Sequence, residues 1–127
     1  MRKKLSKAER QQIYQKCNGR CAYCGCKLEY KDMQADHMRP LYRGGADDIS
    51  NMLPACRSCN HYKSTLDVEE FRNYLSEIPQ RLINNNIPFQ VGVRFSLVSY
   101  VSEKPVFYFE REKKRKNTVF EENIVSY

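Results

Sequence analysis

Four cysteines fall into two Cys-x-x-Cys pairs, Cys21 with Cys24 and Cys56 with Cys59, in a chain of 127 residues. Four thiolates so arranged satisfy the tetrahedral preference of zinc and leave no coordination position open, so the chemistry expected of them is structural. The 31 residues between Cys24 and Cys56 exceed the usual ribbon spacing, and a whole supersecondary unit fits inside the loop that one ion would close. Cys17 and Cys26 compete for the same role, because Cys17, Cys21, Cys24 and Cys26 form an alternative local cluster. That cluster needs an awkward Cys-x-Cys bite and leaves Cys56 and Cys59 without partners.

Inside the loop lies Asp36-His37. Consecutive residues on a strand point to opposite faces, so the two cannot both ligate one metal without a local break. A division of labour follows: the hard carboxylate of Asp36 suits Mg²⁺ or Mn²⁺, and an imidazole at His37 suits proton abstraction from water. An Asp-His dipeptide alone is more often an ordinary polar pair. What singles this one out is its setting, with Asn51 following in the loop and Asn60 directly after Cys59. Lys63, three residues beyond Asn60, shares a helical face with it.

Taken in order, Cys-x-x-Cys, Asp-His-x-x-Pro, Gly-Gly, Asn and Cys-x-x-Cys-Asn-x-x-Lys resemble the HNH endonuclease family with its ββα-metal fold, over about residues 17 to 66. The resemblance implies that Asp36 and Asn60 hold a catalytic divalent ion, that His37 is the general base, and that Asn51 braces the loop and the base. Some members of that family carry histidine at the place of Asn60, which makes His61 a rival or auxiliary ligand. It further implies metal-dependent cleavage of DNA to a 5′-phosphate and a 3′-hydroxyl. Arg39, Arg43, Arg57 and Lys63 are then available to position phosphates, Lys63 foremost because it lies one turn beyond Asn60. A zinc-ribbon DNA-binding module or adaptor that cuts nothing would account for the cysteines, but not for Asp36, His37, Asn51 and Asn60 together.

The elements that must position these residues give an α+β architecture. The resemblance implies that residues 1–66 form an HNH core (ββα-metal) with an N-terminal helix, stapled by a four-cysteine zinc site. Residues 67–127 add a C-terminal helix and a β-hairpin, an extension packed on the core and not an independent domain. Ser6 and Glu9 fit a capping box opening a helix from Lys7 to about Lys16, which Asn18-Gly19 would stop. Leu28–Tyr30 and Met33–His37 read as strands joined through Lys31-Asp32, residues 38–52 as a loop over the site, and Arg57–Ser64 as a short helix. Val68, Phe71, Leu75, Ile78 and Leu82 keep helical spacing, interrupted at Pro79. Gly92–Tyr100 alternates as a strand would, although Val91, Phe95 and Val98 also suit a helix, and Val106–Phe109 reads as the strand it would pair with.

The formal charge of +7 is unevenly placed. Residues 1–65 hold 13 Lys and Arg against 6 Asp and Glu, whereas residues 66–127 hold 9 of each. A basic half attracts phosphate by counterion release, which favours DNA as the partner over a small molecule. Arg2, Lys3, Lys4, Lys7 and Arg10 supply a further run of charge, and Arg111–Lys116 another. The polar stretch Ser6–Gln12 stands where a signal peptide's apolar segment would be, and no stretch approaches the roughly 20 apolar residues of a membrane span. The expected setting is the cytoplasm, where six cysteines bind metal in preference to forming disulfides. One site nicks one strand, so a monomer or a homodimer fits.

Overall fold

Ser6 and Glu9 cap each other: the Glu9 amide donates to the Ser6 hydroxyl at 3.1 Å, and the Ser6 amide to the Glu9 carboxylate at 3.0 Å. This starts helix α1 (Lys7–Gln15), whose single buried residue is Ile13. The computed structural model describes residues 4–113, so Arg2, Lys3 and the basic residues from Lys114 onward lie outside the described residues. Left-handed backbone at Asn18 and Gly19 ends the first turn region, and the chain doubles back as a knuckle. There the Cys21 amide donates to the Cys26 carbonyl at 2.9 Å and the Gly25 amide to the Cys21 carbonyl at 3.0 Å.

Strand β1 (Gln34–His37) pairs antiparallel with β2 (Met52–Ala55), in a register that sets Asp36 opposite Leu53 and His37 opposite Met52. Helix α2 (Arg57–Lys63) follows directly, which completes the order strand, loop, strand, helix. The strand expected at Leu28–Tyr30 is absent. Leu28 is buried in the core, and Tyr30–Asp32 forms a 3₁₀ turn. Lys31-Asp32 lacks the left-handed residues of a two-residue hairpin, so β1 finds its partner across the loop instead. That partner contains Pro54, whose missing amide is tolerated in an edge strand and whose carbonyl accepts the Ala22 amide at 2.8 Å. The knuckle is thereby hung on β2.

Ile13, Leu28, Met33, Ala35 and Met52 form the core beneath this sheet, with Leu5, Tyr14 and Ile49 packed against it. Burial of each of the larger side chains contributes about 1.5–3 kcal/mol. Lys16 fastens the end of α1 to β2, its ammonium donating to the carbonyls of Ile49 and Met52.

By contact the chain divides into two units, one built on residues up to Asp67 with the described residues from Val106 onward, the other on Val68–Pro105. In the first, the returning segment lays Phe107 edge-on to Tyr23 and donates the Tyr108 and Phe109 amides to the carbonyls of Tyr23 and Ala22. The second comprises α3 (Val68–Ser76), α4 (Ile78–Asn85) and α5 (Ile87–Arg94). Pro79 and Pro88 each sit in a first helical turn, where no donor is lost, and the Asn86 side chain caps α5 by accepting the Phe89 amide at 2.9 Å.

The C-terminal β-hairpin is corrected by these elements. Gly92 lies within α5, and the chain then turns at Ser96 so that the Leu97 and Val98 amides donate to the Gly92 carbonyl. Residues 108–113 are helical, with the Phe107 amide held by the Glu110 carboxylate at 2.9 Å. Asn86-Ile87-Pro88 opens a helix that takes in Val91 and Gly92 and ends at Arg94, with Phe95 as its C-cap and Val98 beyond the turn, so neither the strand nor a continuous helix through Val98 forms. No helix among the described residues is long and apolar enough to cross a membrane.

Candidate active site

Knuckle and helix start bring four sulfurs together. The Sγ atoms of Cys21, Cys24, Cys56 and Cys59 all lie within 4.8 Å of one another. Cys56 is also the N-cap of α2, its sulfur accepting the Cys59 amide at 3.4 Å, so the turn that starts the helix aims both of its thiols inward. Hydrogen bonding from Cys59 holds the Cys21 thiol down to about 4 against the opposing effect of burial. The Cys59 thiol is pushed up, by that same bond first and by burial second. Four soft donors at this separation fit one tetrahedral Zn²⁺ and leave no open position. Cys17 and Cys26 are outside the four-sulfur group.

Asp36 and His37 end β1, and their side chains diverge. The Asp36 carboxylate is 5% exposed and accepts the Tyr23 hydroxyl at 2.5 Å and the Lys63 ammonium at 3.0 Å. Burial raises its pKa, while the bond from Tyr23 and the charge of Lys63 pull it back down. Burial and the adjoining carboxylate hold the Tyr23 phenol far above its ordinary range, so it stays a neutral donor. Lys63 also donates to the His37 carbonyl at 2.9 Å. On the other side of the strand, His37 Nε2 lies 3.0 Å from Asp47 Oδ1.

A cleft of about 460 Å³ opens beside this pair, lined by Asp36, His37, Pro40, Tyr42, Asn60 and Ser64 among others. Asn60 reaches it from α2, and its side-chain amide is bonded to no other described residue. Asp36 and Asn60, one residue with a carboxylate and one with an amide oxygen, therefore both line the cleft. These are hard donors, and they fit Mg²⁺ or Mn²⁺ better than a soft ion.

Asn51 closes the loop over the cleft. Its side chain accepts the Arg39 amide at 3.1 Å and donates to the carbonyls of Arg39 and Ala46, each at 2.9 Å. Gly44 is left-handed at φ 82°, and a Cβ on Gly45 would stand 1.9 Å from the Arg39 carbonyl oxygen. Only glycine fits there.

The remaining expected residues are not gathered. His61 is exposed, ring to ring with Tyr62 at 6.3 Å, and does not line the cleft. Lys63 is fully buried, so the expectation of a phosphate-positioning cation is corrected: its ammonium is taken up by Asp36 and the His37 carbonyl. Arg39, Arg43 and Arg57 are exposed. Arg43 leans over the Tyr42 ring at 5.4 Å and pairs loosely with Asp67 at 3.9 Å. Sequence reasoning missed Tyr23 and Asp47. Tyr23 passes for a spacer within Cys-x-x-Cys, and Asp47 carries no periodic signal, although an acid just beyond Gly-Gly was there to be noticed.

A family model described as HNH endonuclease matches residues 21–65. The chain is 42% identical to the "SPbeta prophage-derived putative HNH endonuclease YoqL" of Bacillus subtilis (strain 168), over 47% of this chain and 31% of that protein. It is 39% identical to the Septu protein PtuB of Bacillus thuringiensis, over 39% of this chain and 21% of that one. The match thus spans less than a third of either relative's length. Among solved structures, the Type II-C Cas9 enzyme from Actinomyces naeslundii aligns with 59% of this chain and 8% of its own, at a TM-score of 0.50 and 23% identity, a likeness of fold. The strand–loop–strand–helix unit and its four clustered sulfurs fall on the residues that the HNH endonuclease family model matches, so the segment 21–65 is similar to that family in sequence and in the arrangement of its elements.

Proposed function

We propose that this chain is a metal-dependent endonuclease that hydrolyses phosphodiester bonds of DNA, with His37 as general base and Asp36 and Asn60 as holders of a divalent ion. The observation that carries the reading is that Asp36 and His37 of β1 and Asn60 of α2 line one cleft of a family-matched segment. When bound there, Mg²⁺ or Mn²⁺ would supply Lewis-acid stabilisation of the charge that grows on the scissile phosphate and the departing 3′ oxygen. His37 takes the proton of the attacking water. Asn51 keeps the loop that carries Arg39 in place, and the exposed Arg39, Arg43 and Arg57 position phosphates without reading bases. Lys63 acts from behind, holding the Asp36 carboxylate and the His37 backbone. Zn²⁺ on Cys21, Cys24, Cys56 and Cys59 keeps the knuckle and α2 together. In-line attack leaves a 5′-phosphate and a 3′-hydroxyl, and a single site gives a nick.

Supercoiled plasmid incubated with Mg²⁺ or Mn²⁺ tests this, with EDTA and His37→Ala as controls. Wild type is expected to nick, and His37→Ala to keep its DNA affinity while nicking about 10²–10⁴-fold more slowly. Equal cutting by the two proteins removes His37 from the chemistry. A wild type that binds plasmid but leaves it intact in both metals replaces the nuclease with a DNA-binding module.

A further inference from the structure

Asp47 belongs to no part of the reaction as set out above, yet its Oδ1 lies 3.0 Å from His37 Nε2. The two side chains are 22% and 11% exposed, so the contact is shielded, unlike an ordinary surface pair. The loop has few alternatives to placing it there. Asn51 holds the Ala46 carbonyl immediately before Asp47, Gly45 has no room for a Cβ against Arg39, and the Gly45 amide is fixed on the Pro40 carbonyl at 3.0 Å. Neighbouring Asp48 is used differently: it is exposed and accepts the Ser50 hydroxyl at 3.1 Å.

We infer that Asp47 is the positioning residue of the general base, a carboxylate that accepts the Nε2 proton of His37 and so leaves Nδ1 as the basic nitrogen. A neutral imidazole carries its proton on one nitrogen or the other, and only the bare one can receive a proton from water. A carboxylate on Nε2 selects the tautomer, stops the ring from turning, and stabilises the imidazolium formed once the water has been deprotonated. The catalytic half of this inference rests on the nuclease reading. The tautomer does not.

The chain has only two histidines, so ¹⁵N-histidine spectra of the zinc-loaded protein, assigned with His61→Ala, report His37 alone. Wild-type His37 is expected as the Nε2–H tautomer, and Asp47→Asn is expected to lose that preference while retaining zinc. On plasmid, Asp47→Asn should lower the maximal nicking rate on the order of 10²–10³-fold with DNA affinity unchanged, whereas Asp48→Asn should nick as wild type does. An Nδ1–H tautomer in the wild type overturns the inference at its root. Wild-type nicking with an equally fast Asp47→Asn removes Asp47 alone, whereas a wild type that nicks nothing removes the nuclease reading and the catalytic half of the inference with it.

Discussion

The Lys63 ammonium lies 3.0 Å from the Asp36 carboxylate, with the two side chains only 1% and 5% exposed. Such a pair gains little over a well-packed apolar pair, but removing one partner strands a charge, at a cost of about 3–5 kcal/mol. Lys63→Met is therefore expected to lower the unfolding free energy by that order, read from urea denaturation. The deficit should depend on pH with a definite sign. Burial already raises the Asp36 pKa, so this group favours the fold most below the unfolded carboxyl range and loses that contribution as pH rises through the raised value. Taking away Lys63 removes an influence that lowers it, so the deficit should be greatest near neutrality and shrink on acidification within the range where zinc is retained. A deficit that grew on acidification would contradict this assignment.

Gly45→Ala probes the loop without touching a reacting group. The added Cβ would meet the Arg39 carbonyl at 1.9 Å, a backbone atom that cannot swing aside as a side-chain tip can. A loss of about 1–3 kcal/mol is expected, together with a fall in nicking larger than the lost fraction of folded protein explains. Gly44→Ala meets no steric neighbour but must adopt φ 82°, so it should cost less, roughly 1 kcal/mol. Reversal of that order would show that the loop does not take the path described.

Zinc and fold should be lost together. Cys59 is buried at the first turn of α2, and its sulfur is one of four within a 4.8 Å group. Elemental analysis should find about one tightly held zinc per chain, and Cys59→Ser should release it and unfold the knuckle. Cys17→Ser should keep the metal. Zinc retained in Cys59→Ser and lost in Cys17→Ser would return the staple to the local cysteine cluster.

The sequence was most legible where a motif is local. Ser6 and Glu9 are three residues apart and cap each other as their types require, and the two Cys-x-x-Cys turns predict the sulfur group because each pair is fixed by its own turn. What was hidden is non-local. Pro54 reads as a breaker, and its place in β2 depends on an edge that only the tertiary fold supplies. Lys63 reads as a phosphate-positioning cation until Asp36 and the His37 carbonyl, 27 and 26 positions away, take up its ammonium. At Val91 and Val93 a strand-like alternation competed with a helical period, and the Asn86 cap of α5 decided the matter.

Asn51 separates loop strength from loop function. Three hydrogen bonds from one side chain tie Arg39 and Ala46 together, and the Asn51 backbone carbonyl accepts the Met38 amide at 2.8 Å, a bond that substitution leaves intact. Asn51→Ala deletes the side-chain bonds and leaves partly exposed backbone groups that water can reach, so the loss should be modest, about 1–3 kcal/mol. The effect on nicking should be larger, because the stretch from Arg39 to Asp47 would no longer be held against the end of β1. Asn51→Asp tests the geometry more finely: its carboxylate can still accept the Arg39 amide but cannot donate to the carbonyls of Arg39 and Ala46, and it sets negative charge against them. Asn51→Asp should therefore fall at or below Asn51→Ala in both urea midpoint and nicking rate. An Asn51→Asp protein as active as wild type would mean that the two donated bonds do not hold this loop.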